Sequence, residues 1–365
     1  MFFSDSRLDG NPEAMRIASF LEGDPLRPTE RRDADDLGAA TLFTLRQLQT
    51  VRSKIMKREY PENRCATFIP KATDIPALTG PYVYYARDMA GQARLQNGKS
   101  KGPLPRVDNI KTKERVGYVY SLEGSYGWEI DELRQAARLM MDVPSMKAEA
   151  ARDTLARDTD EVTRTGQLQT RDSTGALTGD IQTTGNLGGF TNHPNVLTSA
   201  NYTYDGTNTL ASAIHKWRAA ATTPEQMASD LALIAQAVNY NTKSIYAPKT
   251  MLLGTFMYNL AATTKMSSAS PVTVLKFFLD NNPYITELDQ WIYLDNAGTG
   301  GNTDRVICYS RNPDIIEAVN PLEFETFPAQ VEGMSYIIPC RSLVGAVKVY
   351  RELAMVYADF SQATS

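Results

Sequence analysis

Two β-prone runs, roughly thirty residues apart, constrain this chain more than any other feature. Tyr82-Val83-Tyr84-Tyr85-Ala86-Arg87 is answered by Arg115-Val116-Gly117-Tyr118-Val119-Tyr120, with the same aromatic and β-branched chemistry. Between them Gln96-Asn97-Gly98-Lys99-Ser100-Lys101-Gly102-Pro103 is polar and rich in turn formers. The pattern predicts a long two-stranded ribbon with a glycine-rich tip. Two strands alone bury too little surface to be stable, so the ribbon must lie on its own domain or on a neighbouring copy.

On the N-terminal side, residues 1 to about 35 hold Asp24-Pro25, Arg27-Pro28 and the charged run Glu30 to Asp36, the composition of an extended arm that needs a partner surface. Leu42, Leu45, Leu48, Val51 and Ile55 then recur at helical spacing, with Arg46, Arg52, Lys54 and Lys57 off the stripe and Pro61 as the stop. Beyond the ribbon, Trp128-Glu129-Ile130-Asp131-Glu132-Leu133 opens a helix whose apolar positions are Ile130, Leu133, Ala137, Met140 and Met141, ended by Pro144. Ser145 caps a second helix reaching about Val162, with Ala148, Ala151, Leu155 and Val162 as a thin stripe. At 1.5 Å per residue it is a rod of roughly 25 to 30 Å. Gln167 to Gly185 has no periodicity and reads as a loop or an extended excursion, ahead of a turn at Leu187-Gly188-Gly189-Phe190-Thr191-Asn192-His193-Pro194.

From there to about Glu325 helices and strands alternate in an α+β module. Thr223-Pro224-Glu225-Gln226 matches a capping box with proline at the first helical position, and Met227, Leu231, Ile234 and Val238 form the buried face behind it. Ser270-Pro271 starts a helix carrying Leu275, Phe278 and Leu279, and Asp304 to Ser310 reads as a central strand. The last fifty residues alternate in the β manner and return to the sheet of the first half.

Reactive chemistry is missing from this inventory. The chain of 365 residues has two histidines, His193 in a turn and His215 on a helix surface, and neither lies in a metal-ligand spacing. There is no nucleophile elbow, phosphate loop or dinucleotide fingerprint, and Gly298-Thr299-Gly300-Gly301 reads as a loop tip. Carboxylate pairs such as Asp158 with Glu161 and Asp131 with Glu132 fall on solvated helix faces. Cys65, Cys308 and Cys340 lack paired spacing and read as buried thiols. A net charge of -4 is too acidic for bulk phosphate binding. Apolar runs such as Ile245 to Leu260 are broken by Pro248, Lys249 and Gly254, which argues against a membrane-spanning helix. The N-terminus has no basic-then-apolar order and is not a secretory signal. No catalytic residue, metal or cofactor is assigned.

What remains is an arrangement of charge. Lys99, Lys101, Arg106, Lys111, Lys113 and Arg115 face only Asp108 and Glu114 along the ribbon, a local +4 (six minus two). On the rod, Asp142, Glu149, Asp153, Asp158, Asp160 and Glu161 outnumber Lys147, Arg152 and Arg157, a local -3 (three minus six). A basic ribbon and an acidic rod suit head-to-tail association, in which the ribbon of one subunit covers the rod of the next and rotation closes a ring. Lys99, Lys101, Arg106, Lys111, Lys113, Arg115, Glu149, Asp153 and Asp160 are the candidate interface residues. Charge alone equally admits two ordinary solvated surfaces.

Taken in order, the arm, the ribbon, Gly127-Trp128-Glu129-Ile130-Asp131-Glu132-Leu133, the polar helix through Asp160-Glu161-Val162 and Gly189-Phe190-Thr191-Asn192-His193-Pro194 resemble the major capsid proteins of tailed phages, with the Hong Kong 97-like fold. Pro328-Ala329-Gln330 through Arg341 and Val344-Gly345-Ala346-Val347-Lys348-Val349 are similar to the strands that close that fold's P domain. The resemblance implies an N-terminal arm and helix (1–60), an E-loop ribbon and lead-in (61–125), a P domain with a spine helix (126–198), an A domain (199–327) and P-domain closing strands (328–365). It implies a structural subunit of an icosahedral shell, built of hexamers and pentamers, that is assembled in a host cytoplasm and encloses double-stranded DNA in the virion. Portal, scaffold and decoration proteins and non-specific contact with the packaged DNA are the further partners it implies, with no membrane. The Gly166–Gly185 segment is longer than the link expected in that family. No asparagine partner for Lys99 or Lys101 can be picked out, so no covalent cross-link is expected. An encapsulin-type compartment filled with enzyme cargo is the first alternative, disfavoured because Arg31 to Asp36 is too polar for a cargo groove. A soluble enzyme of unknown class is the second.

Overall fold

A computed structural model describes residues 60–77, 80–89, 110–138, 142–171, 177–182 and 187–362. The expected arm, the 37–60 helix, Met140, Met141 and the ribbon tip lie outside the described residues. All the elements among the described residues fall in Glu62–Ser365, the larger of two units into which the chain divides.

A single helical turn, α1 (Cys65–Phe68), precedes β1 (Pro81–Met89) and β2 (Ile110–Tyr118), which pair antiparallel from Pro81↔Tyr118 to Met89↔Ile110. Tyr120 belongs instead to the next strand, β3 (Tyr120–Glu129). That strand also takes Trp128 and Glu129, because the Trp128 ring packs between Tyr126 and Tyr336 at centroid distances of 6.2 and 6.4 Å. Helix α2 (Ile130–Arg138) therefore starts two residues later than the sequence suggests, and Ala136 rather than Ala137 is its buried alanine.

Pro144 does not end that helix. It sits in the first turn of α3 (Val143–Thr165), where its missing N–H has no intrahelical partner to lose. Asp142, not Ser145, is the cap, and its carboxylate accepts the Ser145 N–H at 3.4 Å. The 23 residues make a rod of about 34 Å, longer than predicted. Leu155 and Val162 are buried on its inner stripe as expected. Glu161 is buried too, accepting from the Gln169 N–H at 3.4 Å, so its pairing with Asp158 on a solvated face is wrong. The Thr/Gly-rich stretch beyond contains a hairpin, β4 (Leu168–Arg171) with β5 (Leu177–Gln182).

The remaining elements are α4 (Leu210–Ala213), α5 (Pro224–Asn241), β6 (Thr250–Leu253), α6 (Thr255–Thr263), β7 (Lys265–Ser267), β8 (Ser270–Thr273), α7 (Val274–Asn281), β9 (Glu287–Gln290), β10 (Thr303–Tyr309), β11 (Ile316–Ala318), β12 (Leu322–Thr326), β13 (Gln330–Glu332), β14 (Ser335–Val344), β15 (Val347–Val349) and β16 (Met355–Ser361). The capping box at Thr223 opens α5 as read from the sequence. Ser270-Pro271 instead forms a short strand, and Thr273 caps α7 through the Lys276 N–H. His215 is not on a helix surface: its backbone N–H and Nδ1 both lie against the carboxylate of fully buried Asp230, at 2.9 and 2.8 Å.

Two sheets organise the whole. In the first, β14 pairs with β3 through ten consecutive residues and with β12 and β13 on its other side, while α3 packs across it. The second runs β16-β10-β6-β9, antiparallel except for β6 with β9. Helices α5, α6 and α7 cover one face through Leu231, Ile234, Met257 and Phe278, and Phe68, Phe190 and Trp291 cover the other. The last fifty residues thus divide: β14 returns to the first half, whereas β16, with Met355, Val356, Tyr357 and Ala358 all buried, completes the second sheet. A strand buried on both faces needs a layer on each side, and only the second sheet offers that.

Candidate assembly surfaces and the junction behind them

Strand register sorts the ribbon side chains onto two faces. Tyr82, Tyr84 and Ala86 share one face with their partners Gly117, Arg115 and Lys113. Near the root this face rests on the body: the Tyr84 ring meets Tyr350 edge-on at 5.2 Å, Arg115 lies 3.4 Å from Glu352, and Lys348 sits over the Tyr82 ring. Gly117 leaves room for the Tyr82 ring, which a Cβ there would displace. The opposite face carries Val83 and Tyr85 with Val116 and Tyr118 near the root, and Ile110 at the outer end beyond Glu114, Arg87 and Thr112. All five are exposed, Tyr85 at 69%. Four large exposed apolar side chains grouped on one face of a two-stranded ribbon, with a fifth further out, are the pattern of a surface made to be covered.

Candidate charges redistribute around this finding. Lys111 and Lys113 are exposed on the basic face, whereas Arg115 is partly used within the subunit by Glu352 and by Tyr84, whose hydroxyl raises its pKa. Glu149 and Asp153 lie one turn apart on the exposed side of α3. Asp160 continues their stripe two turns on but is covered by α1: its carboxylate accepts the Cys65 N–H at 3.0 Å, and burial raises its pKa. Asp160 is therefore withdrawn from the interface candidates. With Asp160 and Glu161 turned inward, the rod count falls from six acids to four against three bases. Lys99, Lys101 and Arg106 lie outside the described residues. The sequence reading expected the ribbon to lie on its own domain or on a neighbouring copy without saying which face each would cover; the alternation of Val83 and Tyr85 against Tyr82 and Tyr84 was the available signal.

A third feature holds these surfaces in a fixed relation. The last carbonyls of a helix have no intrahelical partner, and in α3 they are served by the distant Gly-Gly-Phe-Thr turn. Phe190 N–H donates to Thr163 O and Thr191 N–H to Arg164 O, both at 2.9 Å, while Gly166 in the left-handed conformation (φ 73°) closes Val162 O. Gly189 lies so near the helix end that a Cβ would collide with the Arg164 and Thr165 backbone. Gly189→Ala is expected to cost about 3 kcal/mol, since the obstruction is main chain rather than a movable side chain, as denaturant titration would show. Behind the turn, the Tyr357 hydroxyl donates to Phe190 O at 2.7 Å and accepts from the His193 N–H at 3.1 Å. Arg305, 4% exposed at its side chain, donates to Thr191 O and is held bidentate by Asp359 at 2.7 Å. Burial, with Lys348 nearby, lowers His193 to about 4, so it is a neutral turn residue whose Nδ1 accepts the Asn195 N–H.

A groove of about 760 Å³ also opens between α5 and α7, with Ala228, Ala232, Tyr240, Met266, Phe277 and Tyr284 in its walls. No group of three or more metal-ligating side chains occurs among the described residues, none of whose helices is long and apolar enough to cross a membrane.

The sequence matches the family model for major capsid protein over residues 91–360. No curated protein matches it. Among solved structures, the fold is similar to the capsid of Myoviridae phage XM1, with a TM-score of 0.65 and 18% identity over 91% of this chain and 100% of that one. It is similar to the capsid of an empty GTA particle at a TM-score of 0.54, with 10% identity over 87% and 96% of the two chains. Mycobacterium phage Ogopogo follows at 0.52, with 11% identity over 87% and 98%.

Proposed function

The chain belongs to the major capsid protein family, and from that premise we propose that it builds an icosahedral shell of hexamers and pentamers in which each ribbon lies on the next subunit. Its role is structural: it is a phage capsid shell protein of the virion, with the Hong Kong 97-like fold. The shell encloses packaged double-stranded DNA, is assembled in the host cytoplasm, and works with portal, scaffold or decoration proteins. DNA contact is non-specific and local, in keeping with a net charge of -4.

The observation that carries the ribbon contact is the exposed stripe Val83, Tyr85, Ile110, Val116 and Tyr118. Lys111 and Lys113 on the other face, with Lys99, Lys101 and Arg106 earlier in the sequence, supply steering toward Glu149 and Asp153. The weakened acidity of the rod makes apolar burial the larger part of the contact. Each such contact is modest, and closure comes from repetition around the shell.

The test is electron microscopy of the chain and of a Tyr85→Ser, Val116→Ser double variant, with absorbance at 260 nm on isolated particles. Both side chains are exposed, so the variant should fold within about 0.5 kcal/mol of the parent. Particle yield is expected to fall by about tenfold or more. A yield equal to the parent's would remove the ribbon from the assembly contact.

A further inference from the structure

The strand that completes the second sheet also governs the end of the rod in the first. We propose that β16 is an assembly checkpoint: α3 and the α+β module become one rigid unit only when residues 355–361 are seated, so a chain lacking that strand is excluded from shells.

The argument follows the hydrogen bonds outward from α3. Thr163 O and Arg164 O depend on the N–H groups of Phe190 and Thr191, with the Thr191 hydroxyl adding a second bond to Arg164 O at 2.9 Å. The carbonyls of those same two residues are the ones served from the second sheet. Phe190 O takes the Tyr357 hydroxyl, and Thr191 O takes Arg305, whose guanidinium is oriented by Asp359. Tyr357 and Asp359 are both on β16. The strand further binds the segment after the turn: Ser199 N–H donates to Tyr357 O, Tyr357 N–H to Leu197 O and Asp359 N–H to the Ser199 hydroxyl, at 2.7, 3.2 and 3.3 Å. Residues 187–199 are thus clamped between the end of α3 and β16.

Sequence separation gives this clamp its meaning. The Tyr357 bonds to the turn span 167 and 164 residues, so making them carries the entropy of closing a long loop unless the elements between are already in place. Until then Phe190 O and Thr191 O lack those donors, and the turn is free to leave the helix end. A subunit in that condition presents its ribbon and rod in no fixed relation to the module. In a closed shell each subunit must satisfy several contacts at once, so a loosened junction is penalised at every one of them.

The inference rests on the shell reading, and the experiment separates the two. Tyr357→Phe keeps the ring and the strand but removes the hydroxyl that bridges Phe190 O and the His193 N–H. Hydrogen exchange of the free subunit is expected to be about tenfold faster at Phe190, Thr191 and Gly166 than in the parent, with protection in α5 and β10 unchanged. Particle yield is expected to fall in parallel. A second chain ending at residue 354, mixed with the parent, is expected to be absent from the particles. Parental exchange and yield in Tyr357→Phe, or incorporation of the shortened chain, would overturn the checkpoint while leaving the shell reading intact. Failure of the parent itself to assemble would count against both.

Discussion

Replacing Arg305 with methionine is expected to destabilise the subunit by about 3–5 kcal/mol, because it leaves the Asp359 carboxylate largely buried with its cation removed. The guanidinium makes two bonds to Asp359, one to the Thr299 hydroxyl at 2.8 Å and one to Thr191 O, and lies 4.7 Å over the Tyr357 ring. Few side chains in the molecule join so many segments: strand β10, strand β16, the 296–302 loop and the turn after α3. The loss should appear as a lowered midpoint in guanidinium chloride. Replacing Asp359 with asparagine as well is expected to recover part of it, since a neutral pair leaves no buried charge. Full additivity of the two substitutions would contradict the pairing described.

Phe190→Ala is expected to cost a similar amount, about 3–5 kcal/mol, through a cavity rather than a charge. The ring is fully buried and meets Tyr309 edge-on at 5.3 Å and Trp291 at 5.9 Å, and Phe68 meets the same indole edge-on at 5.3 Å. These aromatics fill the layer between the second sheet and α1, and the neighbouring strands cannot collapse into the space. Because Trp291 lines the cavity, its fluorescence should shift to the red along with the lower midpoint. A Phe190→Leu variant that loses as much as alanine would show that backbone position, not ring volume, sets the cost.

Much of this architecture was legible in the chain. The ribbon, the capping box at Thr223 and the strand at 304–310 followed from local chemistry: β-branched alternation, a cap with proline behind it, an apolar run of strand length. The errors share a cause. Pro144 stops one helix or starts another with equal ease, and the choice was made by Asp142, two residues earlier. Trp128 fits a helix start or a strand, and Tyr336, over two hundred residues away, decided it. Glu161 and Asp160 looked like solvated carboxylates because nothing local shows that Gln169 and Cys65 will reach them. The same blindness hid the apolar stripe, since a strand pattern alone does not tell which of its two faces the body covers.

The chain leaves the end of α3 at Gly166 and comes back to the same spot at Leu187, whose carbonyl fills the space a Cβ on Gly166 would need. The chain between these points, which includes the β4–β5 hairpin, begins and ends where the two already touch. Lengthening a loop of this kind is cheap, about 0.6 kcal/mol for each doubling, as long as its anchor points stay put. A shell of identical subunits would repeat that segment once per copy. The hairpin is therefore a place where residues could be inserted without redrawing either sheet, at little cost in loop entropy.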